Sequence, residues 1–119
     1  MRCSAEPRVV RRIDMHAVNV QIVRFTDSAQ PGWVECVFRD AASREWTFSD
    51  KLPIFTAVPL DAHSAFPQAG AVACEIIRTW IDECGQKRCI IDTEHPWGVS
   101  ATNGETQFEV FYEQLTTGA

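Results

Sequence analysis

Residues 32–55 read GWVECVFRDAASREWTFSDKLPIF, and this stretch predicts a β-hairpin. Apolar and polar side chains alternate in both halves of the stretch, with the period of two expected of strands that have one buried face. Residues 40–43, DAAS, favour a turn because Asp and Ser side chains accept hydrogen bonds from nearby backbone amides. Matching the two apolar faces fixes the register of the hairpin. The predicted cross-strand pairs are Phe38 with Trp46 and Cys36 with Phe48.

The segment AVACEIIRTWI, residues 71–81, has two interpretations. The spacing of four between Ile77 and Ile81 fits a short helix, whereas the alternation of apolar residues and the β-branched side chains favour a strand. We interpret the segment as a strand that turns at residues 82–85 and returns to form a second hairpin. The predicted pairs, Trp80 with Lys87 and Ile76 with Ile91, place Cys89 and Ile91 on the same face as Trp80.

The two predicted hairpin turns have similar sequences. One reads DAASRE from Asp40 and the other DECGQK from Asp82, so each starts with aspartate and passes through small or polar residues to a charged one. Two copies are too few for a repeat protein. We interpret the similarity as one turn chemistry used in two hairpins.

The remaining strand patterns predict the fold class. Alternation indicates a first strand from Val18 to about Phe25 and a last strand from Thr106 to Phe111. A sheet that no helix covers must close on itself or fold into two layers to bury its apolar face. We therefore expect an all-β protein, either a small antiparallel six-stranded barrel or a compact sandwich. The alternative is an α+β roll with one helix near residues 71–81.

Composition is typical of a soluble globular protein. The chain has 119 residues, of which 45% are hydrophobic and 10% aromatic, so it can form one domain with a buried core. No apolar run approaches the roughly 18 residues that a membrane helix needs. The five cysteines are odd in number and show no zinc-binding spacing. This usage predicts reduced thiols and a cytoplasmic location.

Charge separates the N-terminus from the rest of the chain. The first 14 residues carry four arginines and two acidic residues, a net charge of +2, whereas residues 15–119 carry seven basic and 14 acidic residues, a net charge of −7. Together these give the net charge of −5 for the whole chain. We predict a flexible basic N-terminal tail over residues 1–14 and a single acidic β domain over residues 15–119.

The candidate binding residues lie mainly in two long connections, residues 58–70 and 93–104. If the connections met, two histidines and two carboxylates would lie together as a potential ligand set for a divalent metal. Each histidine is isolated, without the spacing of a known metal motif, so we predict no bound metal and no cofactor. The candidate binding residues in these connections are Asp61, His63, Glu94, His95 and Trp97.

Trp33 is a further candidate because it follows a Pro-Gly turn. It shares the strand face of Glu35 and Arg39, which points away from the predicted core. An exposed tryptophan can anchor a protein partner. The same side chain can also cover the second face of a sandwich, so both interpretations of Trp33 stay open.

These features favour a non-catalytic protein-interaction module, including an immunity- or inhibitor-type protein whose carboxylates meet a basic partner. A second class is a barrel that binds single-stranded nucleic acid, although the acidic body argues against phosphate contacts. A third is a metal-dependent enzyme at the two long connections, but the sequence contains neither a glycine-rich phosphate loop nor a G-x-S-x-G motif. We expect a protein partner and no catalysis. An exposed edge strand also offers a way to pair two copies.

Overall fold

The computed structural model describes residues 15–29 and 31–118. The predicted basic tail, residues 1–14, lies outside the described residues. No helix in the described part of the chain is long and apolar enough to cross a membrane. The elements, in chain order, are β1 (Met15–Asp27), β2 (Trp33–Arg39), β3 (Glu45–Lys51), the single-turn helix α1 (Leu52–Phe55), β4 (Gln68–Ile81), β5 (Lys87–Asp92), β6 (Gln107–Phe111), a 3-10 turn (Tyr112–Gln114) and β7 (Leu115–Gly118).

The strands form one antiparallel sheet that curls into a half-barrel. Six strands follow the order β3-β2-β1-β4-β5-β6, and the short β7 pairs with the start of β1. This confirms the prediction of a small all-β barrel. The α+β alternative is wrong, because residues 71–81 lie within the 14-residue strand β4. Its Val72 and Cys74 are both buried on one face, as a strand period of two requires.

The register predicted for the first hairpin is confirmed. Phe38 pairs with Trp46 and Cys36 pairs with Phe48 between β2 and β3. Alternation along β2 buries Val34, Cys36 and Phe38 and exposes the side chains at the two ends of the strand. The local apolar pattern and the turn therefore select the same pairing.

The register predicted for the second hairpin is correct at one end and wrong at the other. Ile76 pairs with Ile91 as predicted, but Trp80 pairs with Arg88 rather than with Lys87. The register shifts between Ile76 and Arg78, as in a β-bulge that inserts one extra residue into β4. Antiparallel partners share a face, so Trp80 lies on the face of Arg88 and not on that of the buried Cys89.

An aromatic cluster fills the core between the two ends of the sheet. The ring of Phe108 in β6 meets three other rings in edge-to-face geometry, with centroid distances of 4.9 Å to Trp46, 5.3 Å to Phe38 and 5.9 Å to Phe48. Phe38, Phe48 and Phe108 are buried, and Trp46 packs against them half-buried. Edge-to-face contacts between rings stabilise the fold beyond what burial of the rings alone contributes. The cluster thus joins β2 and β3 to β6 across the interior.

Backbone contacts also connect the outer strands of the sheet. The segment after β5 reaches β3, where Ala101 forms a β-bridge with Phe48 and the Thr102 amide donates to the Thr47 carbonyl at 2.8 Å. At the β2–β3 turn, the Ala41 amide donates to the Glu109 carbonyl of β6 at 2.9 Å. These contacts hold the half-barrel together and fix the base of the 93–104 connection.

Candidate functional site

The 58–70 connection places Asp61 and His63 in one exposed turn. The Asp61 Oδ1 accepts a hydrogen bond from the His63 amide at 2.8 Å, and the Asp61 amide donates to Ser64 Oγ at 3.0 Å. The Ser64 amide donates back to the Asp61 carbonyl at 3.0 Å. The carboxylate, the amide and the carbonyl of Asp61 therefore all stabilise its own turn, which is the usual role of aspartate in a loop.

The base of the 93–104 connection is anchored in the core. Thr93 is completely buried, and its hydroxyl donates to the Val99 carbonyl at 2.6 Å. The Thr93 amide donates to the Thr106 carbonyl at 2.9 Å, and the Val99 amide donates to the Thr93 carbonyl at 3.1 Å. Val99 and Ala101 are also buried. This anchoring holds the exposed tip of the connection in a defined position.

The tip of this connection presents Trp97 to solvent. The Gly98 amide donates to the Glu94 carbonyl at 2.7 Å and closes a turn, in which Gly98 has a positive φ of 68°. The Glu94 amide donates to the Asp92 carboxylate at 2.8 Å and ties the turn to the end of β5. Trp97 is one of the residues of this turn, and 60% of its surface is exposed. An indole so exposed is unusual for a residue that normally buries most of its area.

The surroundings of this turn are acidic. Burial raises the pKa of Asp92, but hydrogen bonds from the Glu94 amide and the Gln107 side chain, together with the nearby His95, outweigh it and hold the pKa below its ordinary value. Glu75 is the cross-strand partner of Asp92. Among the described residues, the ion pairs are Arg24–Glu35, Arg88–Asp82 and Arg88–Glu109. None of these ion pairs includes Asp92 or Glu94.

In the described part of the chain, neither of the two clefts is lined by residues of both long connections. A cleft of about 210 Å³ includes Leu60, Asp61 and Ala62 of the first connection and no residue of the second. Within residues 15–29 and 31–118, no group of three His, Cys, Asp or Glu side chains is placed to hold a metal ion. Asp61, His63, Glu94 and His95 therefore do not form the ligand set that a meeting of the loops would have created.

Trp33 is at the start of β2 and is 39% exposed. Its partners in the sheet are Asp27 of β1 and Lys51 of β3, both exposed, while the next residue, Val34, is buried. The side chain therefore lies on the outer face of the sheet, as the alternation in the sequence predicts.

Two surface features of the structure were not predicted from the sequence. One is a cleft of about 720 Å³ on the sheet, lined in part by Gln21, Arg39, Gln68 and Gln114, which are far apart in the chain. The other is a pair of exposed isoleucines at the end of β4, Ile77 and Ile81. The doublet Ile76-Ile77 breaks the alternation of β4 and was a usable signal for the bulge that exposes Ile77.

Comparison with known proteins identifies no relative: no protein-family model, no curated protein and no solved structure matches this chain.

Proposed function

We propose that the chain is a non-catalytic protein-interaction module that binds a basic protein through the turn at residues 94–98. The observation that carries this proposal is Trp97, which is 60% exposed on a turn that the protein core holds in place. Tryptophan is enriched among the residues that dominate binding energy at protein interfaces. A turn that is already ordered loses little conformational entropy when it binds, and this favours affinity.

Charge supports a basic partner. Residues 15–119 carry a net charge of −7, and Asp92 and Glu94, which precede Trp97 in the chain, make no ion pairs inside the described part of the chain. Opposite charges on a partner would accelerate association and exclude acidic competitors. An immunity- or inhibitor-type protein that neutralises a basic partner has these properties. Three of the cysteines are buried thiols, which fits our proposal of a reducing, cytoplasmic location.

The test begins with capture on the immobilised 119-residue chain from a lysate of its native source. Wild type and the Trp97→Ala variant are compared, with Val58→Ala as the matched control, because Val58 is 56% exposed in the other long connection. A retained protein is identified, purified and titrated against all three chains by calorimetry. We expect a basic partner at a fixed stoichiometry, and a Kd that Trp97→Ala raises by about 30-fold or more.

The proposed attraction between the acidic chain and a basic partner is tested separately, by the effect of salt on the rate of association. Raising the salt concentration from about 0.05 to 0.3 M should slow association, because screening weakens attraction between exposed charges. Val58→Ala should leave the Kd unchanged. A partner that binds wild type and Trp97→Ala equally well, an acidic partner, or the absence of any stoichiometric partner would refute the proposal.

A further inference from the structure

The turn at residues 101–105 has the same backbone hydrogen bonds as the two hairpin turns. The Ala101 amide donates to the Glu105 carbonyl and the Gly104 amide donates to the Ala101 carbonyl, both at 2.8 Å. The turns at residues 40–44 and 82–86 have the equivalent two bonds, at 2.9 to 3.0 Å. The third turn begins with alanine where the other two begin with aspartate, so a different side chain supplies its acceptor.

Asn103 supplies this acceptor. Its side-chain oxygen Oδ1 accepts a hydrogen bond from the Glu105 amide at 3.1 Å. In the other two turns, the amide at the equivalent position donates to the aspartate that opens the turn. A side chain that bonds to the amide two residues later is folded along the peptide bond between them. The carboxamide carbon of Asn103 is therefore held close to the Gly104 nitrogen.

Asn103 and Gly104 together contain the groups of an intramolecular reaction. The Gly104 nitrogen is a nucleophile and the carboxamide carbon Cγ of Asn103 is an electrophile, and holding the two in contact lowers the entropic cost of their reaction. The Glu105 amide donates to the oxygen on which negative charge develops during the attack, and this stabilises the transition state. Glycine has no side chain to obstruct the ring that forms. Apart from chain neighbours, no atom of the described residues lies within 4 Å of the position that a Cβ on Gly104 would take.

We propose that Asn103 is a site of spontaneous deamidation. The Gly104 nitrogen forms a bond to Asn103 Cγ, the bond from Cγ to the side-chain nitrogen breaks, and that nitrogen leaves as ammonia with the proton of the Gly104 amide. Water then adds to one carbonyl of the resulting succinimide ring and opens it. One direction of opening gives aspartate, and the other gives isoaspartate, in which the main chain runs through the former side chain. Either product changes the net charge of the chain from −5 to −6.

The other asparagine of the chain, Asn19, is an internal control. It lies within β1, where Asn19 pairs with Ala71 and the following Val20 pairs with Gly70 of β4. The pairing fixes an extended backbone, and the β-branched side chain of valine crowds the peptide nitrogen that would attack. Asn19 should therefore stay unmodified in the folded protein.

The two products differ in their effect on the turn. The turn closes the 93–104 connection and is attached to β3 by the bridge between Ala101 and Phe48 and by the hydrogen bond from the Thr102 amide to the Thr47 carbonyl. Isoaspartate lengthens the main chain by one carbon before Gly104, which moves the Gly104 amide away from its acceptor. Aspartate keeps both the main chain and the side-chain oxygen. The isoaspartyl chain should therefore be the less stable product.

Mass spectrometry of the 119-residue chain tests the proposal. Folded chains and chains unfolded in guanidinium chloride are incubated at pH 8, sampled over time and digested. In the folded chain we expect a mass increase of about 1 Da in the peptide that contains Asn103 and none in the peptide that contains Asn19. The hydrogen bond from the Gly104 amide must open during the attack. Because such a bond contributes little net free energy, the folded rate should be within about tenfold of the unfolded rate.

The matched variant is Asn103→Asp, which reproduces one product. It should show no mass increase at residue 103 and should have the urea midpoint of wild type. The isoaspartyl chain is separated chromatographically from incubated wild type and identified by enzymatic methylation of isoaspartate. It should unfold at a lower urea concentration than wild type.

Three outcomes would overturn the proposal. One is a reaction at Asn103 that is more than about a hundredfold slower in the folded chain than in the unfolded chain, because the turn would then protect the asparagine. Another is a faster reaction at Asn19 than at Asn103 in the folded chain. The third is an isoaspartyl chain with the urea midpoint of wild type.

Discussion

The carboxylates of Asp40 and Asp82 stabilise two separate hairpin turns with the same set of hydrogen bonds. In each turn, one oxygen accepts from the backbone amides two and four residues later, at 2.9 Å. The other oxygen accepts from a side chain six residues later, Trp46 Nε1 at 2.8 Å or Arg88 Nε at 2.7 Å. The similarity of the two turn sequences therefore reflects shared turn chemistry, as we interpreted it.

Glu109 connects the two turns. Its carbonyl accepts from the Ala41 amide of the first turn, and its carboxylate accepts from Arg88 of the second hairpin, both at 2.9 Å. Strand β6 thus contacts both hairpins through Glu109. It also contacts the first hairpin in the interior, through the aromatic cluster around Phe108.

We predict that Asp40→Ala destabilises the protein by about 1–2 kcal/mol, because two turn amides and the Trp46 indole lose their acceptor. Urea denaturation followed by tryptophan fluorescence measures the change. Glu45→Ala is the matched control, since Glu45 is exposed in the same hairpin. Equal stability of Asp40→Ala and wild type would show that the carboxylate does not stabilise the turn.

Ser43 should be replaceable by glycine with a gain in stability. It is the only non-glycine residue with a positive φ among the described residues, at 65°, and Gly85 occupies the equivalent place in the second turn with φ 82°. The left-handed conformation costs an L-residue about 1 kcal/mol, so we expect Ser43→Gly to stabilise by roughly 0.5–1 kcal/mol and Gly85→Ser to destabilise. A lower midpoint of urea denaturation for Ser43→Gly would contradict this account.

Stability should fall at acidic pH because of the turn aspartates. Burial raises the pKa of Asp40, but hydrogen bonds from Trp46, Arg44 and Ala42 outweigh it and lower the pKa overall. The pKa of Asp82 is lowered mainly by hydrogen bonds from the Gln86 amide and Arg88. A carboxyl whose pKa is lower in the folded state stabilises the protein above its unfolded pKa of about 4, and this contribution is lost as the pH falls through the folded value.

The measurement is the free energy of unfolding by urea from pH 7 to pH 2.5. It should be nearly constant down to about pH 5 and decline below about pH 4. Asp40→Asn should show a smaller decline than wild type, since it lacks one of the titrating groups. An identical decline in the two proteins would assign the acid sensitivity to other carboxylates.

The buried cysteines should not react in the folded protein. Burial raises the pKa of Cys36 and of Cys74 to about 12, and burial also raises that of Cys89. Thiolates are the reactive form, so iodoacetamide at pH 8 should leave these three residues unmodified until urea unfolds the chain. Mass spectrometry of the Cys3→Ser, Cys84→Ser variant measures this directly. Modification without urea would indicate that these cysteines are accessible to solvent in the folded protein.

Local features of the chain were predictable from the sequence. The first hairpin has its turn residues and both apolar faces within 24 consecutive residues, so one pattern determines its register. The exposure of Trp33 follows from the same alternation. These predictions required no knowledge of contacts between distant parts of the chain.

Non-local features were not predictable in the same way. The bulge at Ile77 belongs to the pairing of β4 with β5, and it places Trp80 on the face of Arg88 instead of that of Cys89. Strand β7 has only four residues and is stabilised by pairing with β1 at the other end of the chain. Whether the 58–70 and 93–104 connections meet depends on the curl of the whole sheet.

Site-specific photo-cross-linking tests the proposed function most directly. Benzoylphenylalanine replaces Trp97 in one chain and His63, in the other exposed connection, in a second chain, and both are irradiated in cells of the native source. We predict that position 97 captures one basic protein and that position 63 captures none. Capture of the same proteins at both positions, or of none at position 97, would contradict a Trp97-centred interaction surface.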